Sequence, residues 1–440
     1  MGLTRSLSSG ASSLRAHQQR FDVISNNIAN TNTIGYKSSR ASFVDQFNQT
    51  ITHGRSPDSN EGTGYGGLNP LQYGLGVKMG AITMDMAQGI IETTNRPLDL
   101  ALQGDGFFVF NSNGRQTFSR AGAVTRDQDG YLVDTATGAY VQGYNTESDG
   151  NGRIQKDANG VNQLSSNIEN LNIPPDVLSA PKQTQNISVK GNLNSSMPEG
   201  EDRKISIKIF DNNGAAHDIS LTFTKNANAN EYDLTGDIDG VAITLPEATV
   251  LFNNDGTLNT PLSFQLTAAD LNTALGTQSF DETTPKDITF TFADSNNLFS
   301  GLTQYSGPNN ATFKQQDGYQ AGDLQNLTVD TEGKVWGSFT NGQSEILGQL
   351  VLAKFTNPAG LLKQGSNFYS QSPNSGTANL GTAGEVFPST SVAGGALESS
   401  NVELTEQFTE IINTQRAFEA ASRIVTVSDQ MLSETTLLKR

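Results

Sequence analysis

There is no cysteine among the 440 residues of this chain, so disulfide frameworks, thiolate metal sites and cysteine nucleophiles are all ruled out. Histidine is nearly as scarce: His17, His53 and His217 lie far apart, and none has the spacing of a zinc-binding helix. No segment approaches the roughly 18 apolar residues of a membrane span. The opening stretch MGLTRSLSSGASSLRAHQQR lacks the apolar run of about 7–15 residues of a secretory leader, so no cleaved signal peptide and no membrane insertion are expected. Basic charge is in deficit, 28 Lys and Arg against 45 Asp and Glu, for a formal net charge of -17, which argues against nucleic acid or an anionic membrane surface as partner. Charged residues are only 17% of the chain, too few for wholesale disorder, and Ser, Thr, Asn, Gln and Gly fill the gap. At this length about two to four domains are expected.

Periodicity is clearest at the two ends. Leu7, Leu14, Phe21 and Ile28 recur every seven residues, with Leu3 and Ile24 at the complementary heptad position and Gly10, His17 and Thr31 completing it. The spacing predicts a helix over residues 3 to 30, about 42 Å long, with Arg5, Arg15 and Arg20 against the single acid Asp22. At the other end Leu397, Leu404, Ile411, Phe418, Val425 and Leu432 hold the same spacing, widened by Phe408, Ile412, Ile424, Val427 and Met431. Acids prevail there, from Glu403 through Glu434. Two such helices cannot bury their stripes alone, and periodicity leaves open whether they pack within one chain or between copies.

Between the ends the period changes to two. In KISIKIFDNNGAAHDISLTFTK, Ile205, Ile207 and Ile209 alternate with polar residues, Asn213-Gly214 supplies a turn, and Ile219, Leu221 and Phe223 alternate back. Comparable hairpins are expected at Asn113-Gly114, Asp129-Gly130, Asp255-Gly256 and in LTVDTEGKVWGSFTNGQSEILGQLVLAKF. No helical pattern of convincing length interrupts residues 100 to 355, so the middle reads as antiparallel β in more than one barrel or sandwich.

Chemistry finds little purchase. Gly62, Gly64 and Gly67 have G-x-G-x-x-G spacing, but the preceding RSPDSNE is no strand, so residues 53 to 76 read as a linker or a ribbon closely approached by other backbone. Asp127 and Asp129 before Gly130, and Asp237 and Asp239 before Gly240, lack the first oxygen ligand of an EF-hand loop and read as turns. There is no nucleophile elbow and no P-loop. No catalytic, metal-binding or cofactor-binding residue is nominated, and no cofactor is expected.

VISNNIANTNTIGYKSSRASFVDQF, with Asn26, Asn27, Ile28, Asn30, Gly35, Tyr36 and Lys37, resembles the N-terminal signature of the flagellar axial proteins, the rod and hook subunits. GALESSNVELTEQFTEIINTQRAFEAASRIVTVSDQML, with Leu397, Glu398, Ser400, Asn401, Val402, Gln415, Arg416 and Phe418, is similar to the matching C-terminal signature. RPLDLALQGDGFFVF resembles the domain that hook and distal rod subunits share, while HDISLTFTK, QDGYQAGDLQNLTVDTEG and EILGQLVLAKFTNPAGLLKQGSNF are similar to hook subunits in particular. The resemblance implies a mainly β fold: discontinuous antiparallel β domains in the middle, with long N- and C-terminal α-helices pairing as a coiled coil. The expected domains are 1–45 with 397–440, a Gly-rich insert at 46–76, an inner β domain at 77–145 with 319–396, and an outer one at 146–318.

The resemblance further implies a subunit exported through the flagellar type III apparatus that polymerises into a helical tube joining rod to filament. Copies of itself, the rod, the hook cap and the hook–filament junction proteins would be its partners. Assembly would rest on the stripe residues Leu3, Leu7, Leu14, Phe21, Ile24, Ile28, Leu397, Leu404, Ile411, Phe418, Val425 and Leu432. The signature residues Asn26, Asn27, Asn30, Gly35, Tyr36, Asn401 and Arg416 would join them. Residues 53 to 74 resemble an insert of distal rod subunits, which makes a stiff rod subunit the alternative. A secreted carbohydrate-active β protein is the remote one, against which stands the single tryptophan, Trp336.

Overall fold

A computed structural model describes residues 2–57, 66–147, 156, 162–282, 286–294 and 297–437. The chain opens with helix α1, Gly2–Ala29, which Asn30 closes by returning its side-chain amide to the Asn26 carbonyl at 2.9 Å. Strand β1, Ser39–Asp45, then runs antiparallel to β4, Val77–Met84, and beyond a break the pairing resumes between β2, Asn48–Thr52, and β3, Leu71–Gly74. Residues 39–57 and 66–84 therefore form one two-stranded ribbon, with a further bridge at Arg55 and Leu68. Residues 39–45, expected with the terminal helices, belong to this ribbon because Ser39, Ala41 and Phe43 alternate onto α1. Gly67 sits on it against Pro57; Gly62 and Gly64 lie outside the described residues.

The inner β body is built from two stretches of chain. Among the described residues its main sheet has fourteen strands, running through Gly322–Val329, Lys334–Phe339, Ser344–Leu350, Tyr140–Asn145, Phe107–Ser112 and Arg115–Ser119. Phe107, Phe108, Val109 and Phe110 are buried in succession because this strand is covered on both faces. Phe108 and Phe110 pack with Leu132, Val335 and Leu350, and Phe107 and Val109 with Phe118, Phe355 and Tyr369. At its turn Asn113 and Gly114 both take positive φ, 51° and 79°, as a two-residue hairpin requires.

The outer body has a five-stranded and a six-stranded sheet around one core that includes Ile205, Ile209, Ile219, Leu221, Phe223 and Phe290. The hairpin Asp202–Phe210 with Ala216–Lys225 pairs Ile205 with Leu221 and Ile207 with Ile219. Its loop needs five residues, and only Gly214 has positive φ, because Asp211 accepts from the Asn213 and Ala215 amides. Two findings depart from the sequence reading. The strand Asn186–Asn194 pairs in parallel with Ile288–Thr291 and Leu302–Tyr305; the intervening chain supplies the long crossover that such pairs need and that neighbouring hairpins do not reveal. A short helix α2, Ala268–Leu275, capped by Thr267 and ended by Gly276 at φ 66°, is too brief to show a period.

The chain crosses between the bodies twice, with Leu178 and Ser179 paired to Asp323 and Gly322. It ends in helix α3, Leu404–Leu437. Leu397, expected as the first position of that helix, instead lies in the strand Ala396–Glu398, paired with Ile91–Thr93. The signature carboxylate next to it, Glu398, has to enter the inner body there. The Asp-rich turns are capped by their own side chains: Asp127 accepts from the amides of Asp129 and Tyr131, and Asp239 from the Asp218 amide.

Candidate assembly interface

Helices α1 and α3 run antiparallel. Ser6 meets Ser428, Gly10 meets Ala421 and Val425, Arg20 pairs with Glu410 at 3.0 Å, and Asn27 reaches Gln407. The α3 residues that disappear into this contact are Gln407, Thr414, Ala421 and Ser428, each seven residues from the last. They are the small and polar heptad positions, three residues after Leu404, Ile411, Phe418 and Val425. A β-carbon added to Gly10 would stand 2.9 Å from Val425 Cγ2, so the backbones approach closely there.

The apolar stripe therefore does not lie where the heptads were expected to pair. Leu404 and Phe418 are 42% exposed, and Phe408, Ile412, Ile424 and Met431 about half exposed. Ile411, Val425 and Leu432 are half-buried. On α1, Ile24 is buried, Leu7, Leu14 and Ile28 are half-buried, and Phe21 is exposed; the Leu3 side chain lies outside the described residues. Ala16 is buried and Ser12 Oγ accepts from the Val77 amide, so α1 is held between α3 and the ribbon. His17 stacks edge-on against Phe43 at 5.3 Å. Burial first, and the Arg20 charge second, hold its imidazole below the ordinary histidine value.

A buried junction fastens this pair to the inner body. Asn27 uses its whole amide: Nδ2 donates to the Ser39 carbonyl and Gln407 Oε1, and Oδ1 accepts from the Ser39 amide and the Tyr36 hydroxyl. Gly35 turns at φ 67° and donates to the Glu398 carbonyl; a side chain there would run into the backbone of Arg120 and Ala121. Lys37 then enters the interior. Its Nζ donates to Glu398 Oε1 at 2.6 Å and to the Ala87 carbonyl at 2.7 Å, with both ionic side chains fully buried. Glu398 Oε1 also accepts from the Gly89 amide, while Oε2 faces Arg120 at 3.4 Å. Burial pushes the Lys37 ammonium and the Arg120 guanidinium below their ordinary values, and Glu398 pulls both back up. Asn401 completes the junction by accepting from the Ser38 amide and donating to the Asp85 carbonyl.

Six signature residues thus converge: Asn27, Gly35, Tyr36, Lys37, Glu398 and Asn401. Asn26 and Arg416 remain exposed, and Asn30 closes α1. Arg120, Gln407 and Thr414 belong to the site although neither apolar periodicity nor signature spacing singled them out. Only the seven-residue recurrence of small polar side chains could have found the last two. Among the described residues no three His, Asp or Glu side chains gather as metal ligands.

Comparison with known proteins matches four segments. Residues 7–37 match the flagella basal body rod protein family, and 101–193 the flagellar hook protein FlgE/F/G D1 domain. Residues 179–319 match the flagellar basal body protein FlaE D2 domain, and 393–437 the flagellar basal body rod FlgEFG protein C-terminal family. The flagellar hook protein FlgE of Treponema pallidum is 33% identical over the whole of both chains. That of Borreliella burgdorferi is 32% identical over 99% of this chain and all of its own. The Escherichia coli protein of the same description is 33% identical over 98% of this chain and 99% of its own.

Proposed function

This chain belongs to the flagellar hook protein family, and on that premise we propose how its geometry builds a tube. It is a structural subunit of the bacterial flagellum, located in the hook and basal body, and it works as a homopolymer. The observation that carries the proposal is the division of labour on α3. Gln407, Thr414, Ala421 and Ser428 are consumed by α1 of the same chain, and the exposed apolar side chains of α3, Leu404, Phe408, Ile412, Phe418 and Met431 among them, are left for other copies. Burying the exposed half of six such side chains stabilises by about 1 kcal/mol each, which only matches the several kcal/mol lost on association. One neighbour is therefore insufficient, and a helical lattice, in which each helix meets several copies, supplies the rest.

The buried junction transmits force. Torque on the helical pair reaches the inner body through Asn27, Lys37, Glu398 and Asn401, so the pair and the body move together. The two strands crossing at Ser179 and Gly322 let the outer body swing. Outer surfaces rich in Ser, Thr and Asn exchange polar contacts as the tube bends, which suits a flexible universal joint between rod and filament. The rod, the hook cap and the hook–filament junction proteins are the other partners. The chain reaches the cell exterior through the flagellar export apparatus, and it carries no catalysis. Replacing Phe408, Ile412 and Met431 by serine tests the proposal: the monomer's thermal unfolding changes little, and tube formation by the full chain is lost. Normal tubes from this variant would overturn it.

A further inference from the structure

A groove on the inner body stands apart from the helices. It has a volume of about 420 Å³ and an apolar floor that includes Leu98, Val124, Leu324 and Leu327. Among the described residues, Arg96 and Arg126 are its only charged lining residues. Arg126 Nη1 is buried without a hydrogen-bond partner among the described residues. Arg96 is 62% exposed and comes only within 3.9 Å of Asp99. In a chain of 45 acids and 28 bases, a groove lining with two cations, whose nearest acid is Asp99 behind Arg96, is a local asymmetry. A buried donor without an acceptor is costly to keep, and an anion arriving from outside would satisfy it.

The outer body carries a complementary feature. The turn Pro198-Glu199-Gly200-Glu201 presents two exposed carboxylates beside an exposed proline. Gly200 has φ 80°, with open space where a β-carbon would stand, so the tip projects. The turn is also rigid: the Gly200 amide donates to the Lys225 carbonyl at 2.9 Å, and the Lys225 amide to the Glu201 carbonyl at 3.1 Å. We propose that the Arg96–Arg126 groove receives this turn from a second copy of the chain, the carboxylates meeting the guanidinium groups and Pro198 resting on the leucines. The contact rests on the tube reading above. It adds a link from the inner body of one subunit to the outer body of another, one that repeats along the lattice because the two surfaces differ.

The test is the concentration of full-length chain needed for tube formation, measured by sedimentation at low and high salt. Arg126→Glu raises it about tenfold at low salt. Glu199→Lys with Glu201→Lys, on an exposed turn that such changes leave folded, raises it to the same degree. Combining all three brings it back to within about twofold, and the single effects shrink at high salt as screening shortens. An unchanged threshold for Arg126→Glu, or a combination no better than its parts, overturns the contact. An effect of Arg126→Glu without one from the acidic turn means another acidic partner and overturns it as well. Removing residues 1–30 separates the two ideas. Tubes that survive that deletion and still respond to the charge exchange sink the helix reading alone; tubes that need the helices and ignore the exchange sink the groove contact alone.

Discussion

Glu398→Gln removes the one carboxylate that faces both Lys37 and Arg120, whose side chains are 0% and 4% exposed. Two buried cations then lose the counter-charge they touch, a change that costs about 3–5 kcal/mol. A ceiling follows from Lys37. Shedding its proton at pH 7 from an ordinary value of 10.5 costs about 4.8 kcal/mol at 1.36 kcal/mol per pH unit, and beyond that the neutral amine is the cheaper state. Against a typical stability of about 5–15 kcal/mol this is a large loss. It lowers the urea midpoint of the dilute, unassembled chain by about 1 M or more. Amide exchange should quicken at Gly35 and Gly89, whose N–H groups bond to Glu398. Because the penalty is charge on Lys37, it shrinks as pH rises toward 10, where the unfolded lysine also begins to lose its proton. Replacing the trio together, with Lys37→Met, Arg120→Met and Glu398→Leu, recovers most of the loss. A Glu398→Gln variant within about 0.5 kcal/mol of the parent, with unchanged exchange at both glycines, would refute a buried ionic anchor.

Other substitutions probe the seam. His17, held below the histidine value of 6.5, favours the folded pair when neutral. Its contribution is intact above pH 6.5 and declines as pH falls through the lowered value, so helix melting in the parent drops between pH 7.5 and 5 by more than in His17→Gln; equal drops would contradict this. Gly10→Val forces Cβ into Val425 and should cost about 1–3 kcal/mol in helix melting by circular dichroism, with Gly10→Ala milder and an unchanged melt as the contrary result. Gly35→Ala combines a positive φ with a backbone clash and should release both helices from protease protection while the outer body stays resistant. Deleting residues 53–74 removes β3 and the Arg55–Leu68 bridge from the ribbon, and electron micrographs of isolated tubes should show greater curvature; equal curvature would mean that the ribbon does not stiffen the hook.

The class of the fold and the two terminal helices were legible because period two and period seven are both written in apolar residues, whereas the pairing of those helices came from the family resemblance. The seam itself was not. Gln407, Thr414, Ala421 and Ser428 are hidden to any reading that follows hydrophobicity, and Leu404 and Phe418 draw attention to a face the single chain leaves open. Leu397 kept the heptad count yet became a strand, because the neighbouring Glu398 must meet Lys37 inside the body. Parallel pairing of Asn186–Asn194 depends on residues about a hundred positions away, which no local pattern contains. Arg120 entered the junction the same way: only tertiary structure brings it to Glu398, 278 residues later.

Electron microscopy of the full chain beside a version lacking residues 1–30 and 404–440 addresses most directly whether the terminal helices hold the tube together. Tubes from the intact chain and none from the truncated one are expected, with the truncated protein remaining a folded β monomer. Tubes of the same diameter and lattice from the truncated protein would contradict it.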